Sequence, residues 1–410
     1  MPAPLSQETV AIVKATVPAL EAHGLAITQR MYEHLFKSEE IRDLFNQSHQ
    51  GAGSQPRALA SAILAYAKNI DDLGVLGAAV ERIAQKHAGL NILPEHYPFV
   101  ATALLQAIRD VLGEAATEPV IKAWGEAYWF LGEILIGREA EIYREQAAAP
   151  GGWLGWRDFV VDRVVRESET IKSFYLRPAD GGAVLRHKPG QYLTFKLDLP
   201  GRGLVKRNYS ISSAPSAEGY RVTIKREPAP ADRPGAPAGA ASSWFHEQVR
   251  PGTVLKVAAP AGDFVLDDAG DPVVLLSGGV GLTPLVSMLE AIAATGERPP
   301  TWFVHGAQNS RVHAMAERVR ELAARTADVK LAAFYAEPEP EDVRGEHYDE
   351  RGFITLDWLK ANTPFEQAVF YLCGPKPFLR ALVSALAAAG VEPSRIRYEF
   401  FGPADELLAA

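Results

Sequence analysis

The stretch Ala147-Ala148-Ala149-Pro150-Gly151-Gly152-Trp153-Leu154-Gly155-Trp156 decides how this chain is organised. Upstream of it, apolar residues recur three and four apart with few β-branched alternations, the period of amphipathic helices. Downstream, short runs alternate with a period of two and are punctuated by Gly and Pro, which is the pattern of strands. The proline and glycines end the last long helix and read as a linker. The expected architecture is multidomain: an all-α domain over 1–148, an antiparallel β-barrel over 153–265, and an α/β domain with a parallel sheet over 270–410.

Upstream, Ser6 before Val10, Ile12, Val13 and Val17 predicts a first helix, with a second near Leu25–Phe36. Pro56 reads as the first-turn proline of a third helix, which carries Leu59, Ile63 and Leu64. Further helical patterns cover Val75–His87, Tyr97–Leu112 and Thr117–Gln146, giving six or seven helices. Downstream, strands are predicted at Arg157–Val165, Ile171–Arg177, Gln191–Leu197, Asn208–Ser212, Tyr220–Lys225 and Val254–Ala258, and a helix beginning at Trp244. From Asp271 onward strands and helices alternate, the signature of a parallel sheet with crossovers.

Composition excludes several classes of function. A net charge of −8 argues against nucleic-acid binding, which needs a basic surface. A single cysteine, Cys373, excludes an intrachain disulfide framework and a cysteine-held metal cluster. The N-terminus has no basic segment followed by an apolar run, and the longest apolar stretches, such as Pro272–Leu276, are too short to span a membrane. The cytoplasm is the expected compartment.

The chemistry-bearing motifs lie in order along the downstream half. Arg207-Asn208-Tyr209-Ser210 places an arginine beside an extended Tyr-x-Ser strand, suited to a flavin phosphate and ring. Alone, it reads equally well as a plain strand with a solvated arginine. Tyr192 is a second aromatic on a neighbouring strand, or simply core. Gly239–Ser243, including Ser242, offers small residues before a helix, where free amides receive a pyrophosphate. Ser277-Gly278-Gly279-Val280-Gly281-Leu282-Thr283-Pro284 follows a strand and opens a helix, as a nucleotide-binding turn does, though without the GxGxxG spacing. Cys373-Gly374-Pro375 ends another strand at the same sheet edge, and Tyr398–Pro403 supplies aromatics for a flavin face. Arg311 reads as a partner for a 2′-phosphate or as a solvated charge, so NADH and NADPH both stay open. In the helical half, His87 shares one helix face with Val80, Ile83 and Ala84. A histidine so placed is more often a core residue than a ligand.

Taken together, residues 155–410 resemble the ferredoxin–NADP reductase superfamily, which implies FAD in the barrel and NAD(P)H on the sheet. With IAQKH, AWGEAY, REAEIY, RNYS, GVGLTP, YLCGP and FGP in order, the whole chain resembles the flavohaemoglobin family. That resemblance implies a globin domain with haem b, His87 as the proximal iron ligand, and Tyr97 and Glu139 as its hydrogen-bond relay. Tyr32 would be the distal donor, Gln55 a second polar group, Leu59 a gate and Phe45 a porphyrin contact. Lys86 and Glu399 would tune the redox centres. FAD contacts would come from Tyr192, Arg207, Asn208, Tyr209, Ser210, Ser242, Phe400, Phe401, Gly402 and Pro403. Nucleotide contacts would come from Gly279, Val280, Gly281, Leu282, Thr283, Pro284, Cys373, Gly374 and Pro375. Taken singly, Tyr97, Glu139 and Phe45 also read as ordinary core or surface residues. The implied activity is nitric oxide dioxygenation, converting nitric oxide and O2 to nitrate, in a monomer whose distal pocket admits lipid. A haem-dependent alkyl-hydroperoxide reductase and an oxygen-binding or sensing globin are the competing readings.

Overall fold

Ser6 opens helix α1 (Gln7–Ala15) by accepting the Thr9 amide at 3.0 Å, a serine N-cap. The structure, a computed structural model, describes residues 2–38, 41, 54–229, 235, 237–267, 270–295 and 300–402. Helix α2 (Val17–Leu35) starts well before the expected Leu25, because Pro18 falls in its first turn, where a missing N–H costs nothing. It is followed by α3 (Ser54–Lys68), α4 (Gly77–Leu90), α5 (Tyr97–Leu112) and the 31-residue α6 (Glu118–Ala148). Pro56 sits in the first turn of α3, as expected. Helix α4 stops at Asn91, whose φ of 58° is the left-handed conformation asparagine tolerates best after glycine. Ile27, Met31, Leu104 and Ile108 fill the space between α2 and α5, with Ala67, Ala107 and Ala127 fully buried where helices approach closely. Each large aliphatic side chain buried this way contributes about 1.5–3 kcal/mol.

Residues 1–148 form one compact unit and the body of 149–401 another. The second unit begins with an antiparallel sheet of β1 (Arg157–Arg166), β2 (Ile171–Pro178), β3 (Tyr192–Leu199), β4 (Gly203–Ser210), β5 (Tyr220–Lys225) and β6 (Val254–Val257), with α7 (Ala240–Gln248) inserted before β6. The spatial order is β4-β3-β6-β1-β2-β5, and Ile211, just past β4, bridges Val222 of β5 and joins the two ends. Two expectations are corrected. Strand β4 starts at Gly203 rather than Asn208, and α7 starts at Ala240 rather than Trp244. Small residues tolerate a helix start once Gly239 supplies the turn, so the helix takes in the serines expected to precede it.

The remainder is a parallel sheet: β7 (Val273–Gly278), β8 (Thr301–Ala307), β9 (Val329–Tyr335), β10 (Glu350–Arg351), β11 (Val369–Cys373) and β12 (Ile396–Glu399), in the order β10-β9-β8-β7-β11-β12. Helices α8 (Leu282–Thr295), α9 (Ala316–Arg325), α10 (Leu356–Asn362) and α11 (Lys376–Ala388) connect the strands. Every residue of β7 is buried, as expected of a central parallel strand covered on both faces. The chain winds one way from β7 to β10 and then returns to place β11 on the other side of β7. That reversal opens a crevice at the carboxyl ends of β7 and β11, the usual ligand position in such sheets. Among the described residues no single helix is long and apolar enough to cross a membrane.

Two predictions follow from this packing. A Cβ on Gly281 would lie 2.2 Å from the Cys373 carbonyl oxygen, so the turn after β7 rests directly on the end of β11. Gly281→Ala is therefore expected to destabilise the second unit by about 1–3 kcal/mol through overpacking, read as a lower denaturation midpoint. The second prediction concerns acid. Burial depresses His187 and His313 to about 4, so both are neutral in the native fold. The unfolded chain takes up protons near pH 6.5 that the native state refuses until about pH 4. Stability is fully present above about pH 6.5 and falls on acidification, by up to about 1.4 kcal/mol per pH unit per histidine. A chemical-denaturation series from pH 7.5 to about 4.5 checks it, and His187→Asn should flatten the slope.

Candidate active site

In the helical unit, three elements converge on one imidazole. Helix α4 carries His87, α5 begins at Tyr97 and α6 carries Glu139. His87 Nδ1 lies 2.7 Å from Glu139 Oε1 and 3.2 Å from the Tyr97 hydroxyl, and Tyr97 donates to the same Oε1 at 2.7 Å. Glu139 is only 2% exposed, while the His87 side chain is 31% exposed. The carboxylate accepts, so the hydrogen-bond network assigns the proton to Nδ1 and leaves the Nε2 lone pair as the available metal-binding atom. Burial, reinforced by the Glu139 charge, pushes the Tyr97 hydroxyl far above its ordinary range and keeps it a donor.

The connection between His87 and Tyr97 is itself pinned. Tyr143 donates to the Ile92 carbonyl at 2.6 Å and Tyr128 to the Tyr97 carbonyl at 2.7 Å. Arg138 forks onto Glu81 at 2.7 and 3.1 Å, tying α6 to α4 beside the relay. Tyr128 lies in AWGEAY and Arg138 and Tyr143 in REAEIY, motifs that carry the resemblance, but none of the four was given a role from the sequence. The signal was present in their spacing: Tyr143 lies one helical turn beyond Glu139 and Tyr128 three turns before it, on one face of α6.

On α2, Tyr32 is 7% exposed, stacks on Phe36 with ring centres 5.5 Å apart, and makes a hydrogen bond with Gln55. Burial raises its hydroxyl and Gln55 partly offsets this. Thr28 donates to the Pro56 carbonyl at 2.8 Å, which fixes the start of α3 and hence Gln55 against α2. Gln55 Oε1 is buried without a hydrogen-bond partner. A buried orphan acceptor costs free energy unless a ligand or water meets it. Leu59 is half-buried against the same core. Phe45 lies outside the described residues. These features fit haem: one available imidazole nitrogen held by a buried anion, and a distal pair with an unused polar atom.

In the second unit, Tyr209 packs edge-on against Phe195 and Phe245, with centres 5.7 and 5.3 Å apart, and burial raises its hydroxyl. Asn208 accepts from Thr194 at 3.0 Å, Arg207 is half-buried and Ser210 is buried. Tyr192 lies against Gly262, and burial together with the Glu399 charge raises its hydroxyl, which brings β3 and β12 into one neighbourhood. Ser242 is used internally, donating to the Gly239 carbonyl at 3.0 Å, whereas the neighbouring Ser243 hydroxyl is buried without a partner. Ser243 sits in the first turn of α7, where the amides carry partial positive charge. It ends the Gly239–Ser243 segment expected to meet a flavin pyrophosphate, and its unpartnered hydroxyl fits that ligand. Phe400 and Gly402 are half-buried, Phe401 is exposed, and Pro403 lies outside the described residues.

At the sheet crevice, Gly279 has φ of 52° with open space where a Cβ would stand, so this glycine leaves room for a nucleotide to approach. Thr283 donates to the Val280 carbonyl at 3.1 Å, and Leu282 and Pro284 are buried. Gly374 packs against Gly278, which couples the two turns, and Pro375 is exposed. Cys373 is fully buried and its thiol is pushed well up by burial, so it contributes shape rather than a thiolate. Arg311 is engaged by Glu169 at 2.8 and 3.0 Å and by Glu339 at 3.5 Å. Lys86 is exposed on α4 and Glu399 is half-buried on β12.

Three family models match in this order: Globin over residues 29–133, Oxidoreductase FAD-binding domain over 158–266, and Oxidoreductase NAD-binding domain over 275–384. Curated flavohemoproteins are similar along the full chain. One from Xylella fastidiosa is 51% identical with 100% of each chain covered, and one from Bordetella pertussis is 47% identical over 97% of this chain and 98% of its own. Among solved structures, a flavohemoglobin from Malassezia yamatoensis with bound FAD and heme aligns at a TM-score of 0.85. Its identity is 27%, covering 98% of this chain and 100% of that one. The flavohem-like FAD/NAD-binding domain of a nitric oxide dioxygenase from Vibrio cholerae is 35% identical, with a TM-score of 0.54, over 60% of this chain and 99% of that one. With a globin unit, a flavin-binding barrel and a nucleotide-binding sheet in this order, the chain belongs to the flavohemoprotein family.

Proposed function

We propose that this chain is a nitric oxide dioxygenase, with domains at 1–148, 153–265 and 270–410, which acts as a cytoplasmic monomer and draws electrons from NADH. The observation that carries the reading is the pairing of a half-buried His87, held by buried Glu139 and Tyr97, with a buried Tyr32 bonded to a half-buried Gln55 in one helical unit. The Vibrio cholerae domain, named as part of a nitric oxide dioxygenase, supports it from the reductase side. When bound, haem supplies the iron chemistry that joins nitric oxide to O2, and FAD converts hydride into single electrons.

His87 Nε2 would hold the iron. Glu139 accepts the Nδ1 proton and raises the basicity of the ring, and Tyr97 fixes that carboxylate. Tyr32 keeps its proton because burial raises its pKa, so it serves as a hydrogen-bond donor towards O2 across the operating range. Gln55 holds Tyr32 in place and presents an unpaired acceptor oxygen. Leu59 would restrict the space beside them, and lipid is the further occupant we expect on this side of the haem. In the second unit, Tyr192 and Tyr209 would flank the flavin, with Arg207 and the α7 N-terminus meeting its phosphates. Gly279 and the Cys373–Pro375 turn would receive the nucleotide. NADH is favoured because Arg311, the residue suited to a 2′-phosphate, is already neutralised by Glu169 and Glu339.

Steady-state NADH consumption is the central test. It should rise only when nitric oxide and O2 are present together; stimulation by an alkyl hydroperoxide alone would move the reading to a peroxidase. Tyr32→Phe keeps the ring and removes a hydrogen bond to a charged oxygen species, worth about 1.5–3 kcal/mol, or roughly ten- to hundred-fold in O2 off-rate. Reduction of haem by NADH should be almost unchanged in that variant. Glu139→Gln removes the buried charge behind His87, so the haem midpoint potential should become more positive and the iron–histidine stretching frequency should drop, with O2 entry unaltered. A Tyr32→Phe variant that slowed haem reduction while keeping the O2 off-rate would show that the distal assignment is wrong.

A further inference from the structure

We propose that the buried Arg221–Glu290 ion pair is a positioning device that sets the flavin-binding strand against the nucleotide-binding turn for hydride transfer. The inference rests on the proposed reading of the reductase. Glu290 is the one charged residue among the buried positions of α8, which are mostly apolar, and it is 6% exposed. Nothing in the local helix calls for a charge there. Its Oε1 accepts from Arg221 Nη2 at 2.7 Å and from Arg318 Nε at 2.5 Å, and its Oε2 accepts from the Ala214 amide at 2.8 Å. Burial opposes its ionisation, but the two guanidiniums outweigh that and hold the carboxyl below its usual range.

The partners decide what the pair does. Arg221 Nε donates to the Ser212 hydroxyl at 3.1 Å, its Nη2 donates to the Ser212 carbonyl, and the Ser212 amide returns a bond to the Arg221 carbonyl at 2.7 Å. Ser287 donates to the Ser213 carbonyl at 2.7 Å, with His187 Nε2 at 3.1 Å from both. Residues 212–214 follow directly from Arg207–Ser210, the strand assigned to the flavin. Residues 287 and 290 lie on the helix that follows directly from Gly279–Gly281, the turn assigned to the nucleotide. Glu290 stands about 13.5 Å along α8 from Gly281 at the end of that turn, a rigid lever of about two and a half helical turns. The ion pair therefore joins the two cofactor-binding segments through one carboxylate.

Such a joint matters because hydride transfer is steep in distance. A C–H bond of the dihydronicotinamide breaks and an N–H bond forms on the flavin. The nucleotide is oxidised by two electrons carried with the hydride and the flavin is reduced by the same two, with one proton taken from water to complete the reduced flavin. A misplacement near 1 Å costs roughly a hundred-fold in rate. A buried ion pair used only for stability is replaceable by apolar packing, whereas one used for register resists replacement even when the fold survives.

The test uses the full-length, FAD-loaded protein, mixed anaerobically with excess NADH while loss of flavin absorbance is followed. Because the measurement ends at the flavin, it stands whether the helical domain turns over nitric oxide or not, and wild-type reduction by NADH checks the reductase reading separately. Glu290→Gln should lower the limiting rate by about ten-fold or more, with NADH half-saturation changed less than about three-fold and FAD content retained. Arg318→Ala, a half-exposed arm, should give a smaller fall in the same parameter, about two- to five-fold, without loss of FAD. Should Glu290→Gln fail to hold FAD, Arg318→Ala decides on the same readout. A lower melting temperature with an unchanged limiting rate in the folded variant would overturn the proposal.

Discussion

A carboxylate taken out of water must be met by donors, and in this molecule the cost of satisfying Glu139 shapes the whole proximal half of the helical unit. Its Oε1 takes bonds from both His87 and Tyr97, which requires α4, α5 and α6 to meet at one point. The left-handed Asn91 lets α4 stop one turn after His87, and Tyr128 and Tyr143 then hold the reversal into Tyr97. The other oxygen of Glu139, Oε2, is buried without a hydrogen-bond partner, so Oε1 carries the whole answer to the charge, and removing either donor would weaken the relay and the helix packing together.

The second unit solves a different constraint. A parallel sheet brings its strand ends to one edge, and two turns must share that edge without filling it. Gly281 and Gly374 allow the two turns to interlock, whereas Gly279 faces open space. The three glycines look alike in sequence yet do different work: two admit neighbouring backbone and one leaves room for a ligand.

That contrast explains what was legible in the sequence. Periodicity exposed the helical and strand halves, and Tyr97–Leu112 and Tyr220–Lys225 were read to the residue, because proline or glycine flanks and regular apolar spacing mark them. The start of β4 and of α7 went astray where tertiary packing overrides weak local preference. The roles implied for His87, Tyr97 and Glu139 placed three residues distant in sequence at one point, and the structure brings them together. The segment Gly239–Ser243 was legible as a pyrophosphate turn, but which serine is spare was not, since only coordinates separate the Ser242 hydroxyl that caps a turn from the Ser243 hydroxyl left without a partner. Arg221 and Glu290 were invisible for the opposite reason: each sits in an ordinary strand or helix, and the pair exists only across two separate layers.

The burial of Cys373 has a consequence for chemistry outside the catalytic cycle. It is the sole thiol in the chain, it is sealed in the central sheet beside β7, and burial holds it in the neutral thiol form. Nitrosating and peroxidic species attack thiolates that water can reach, so the native fold offers them no sulfur nucleophile among its cysteines. Conversely, any reagent that does label this sulfur reports a momentary opening of the sheet, so the molecule carries a built-in clock for the breathing of its nucleotide-binding layer.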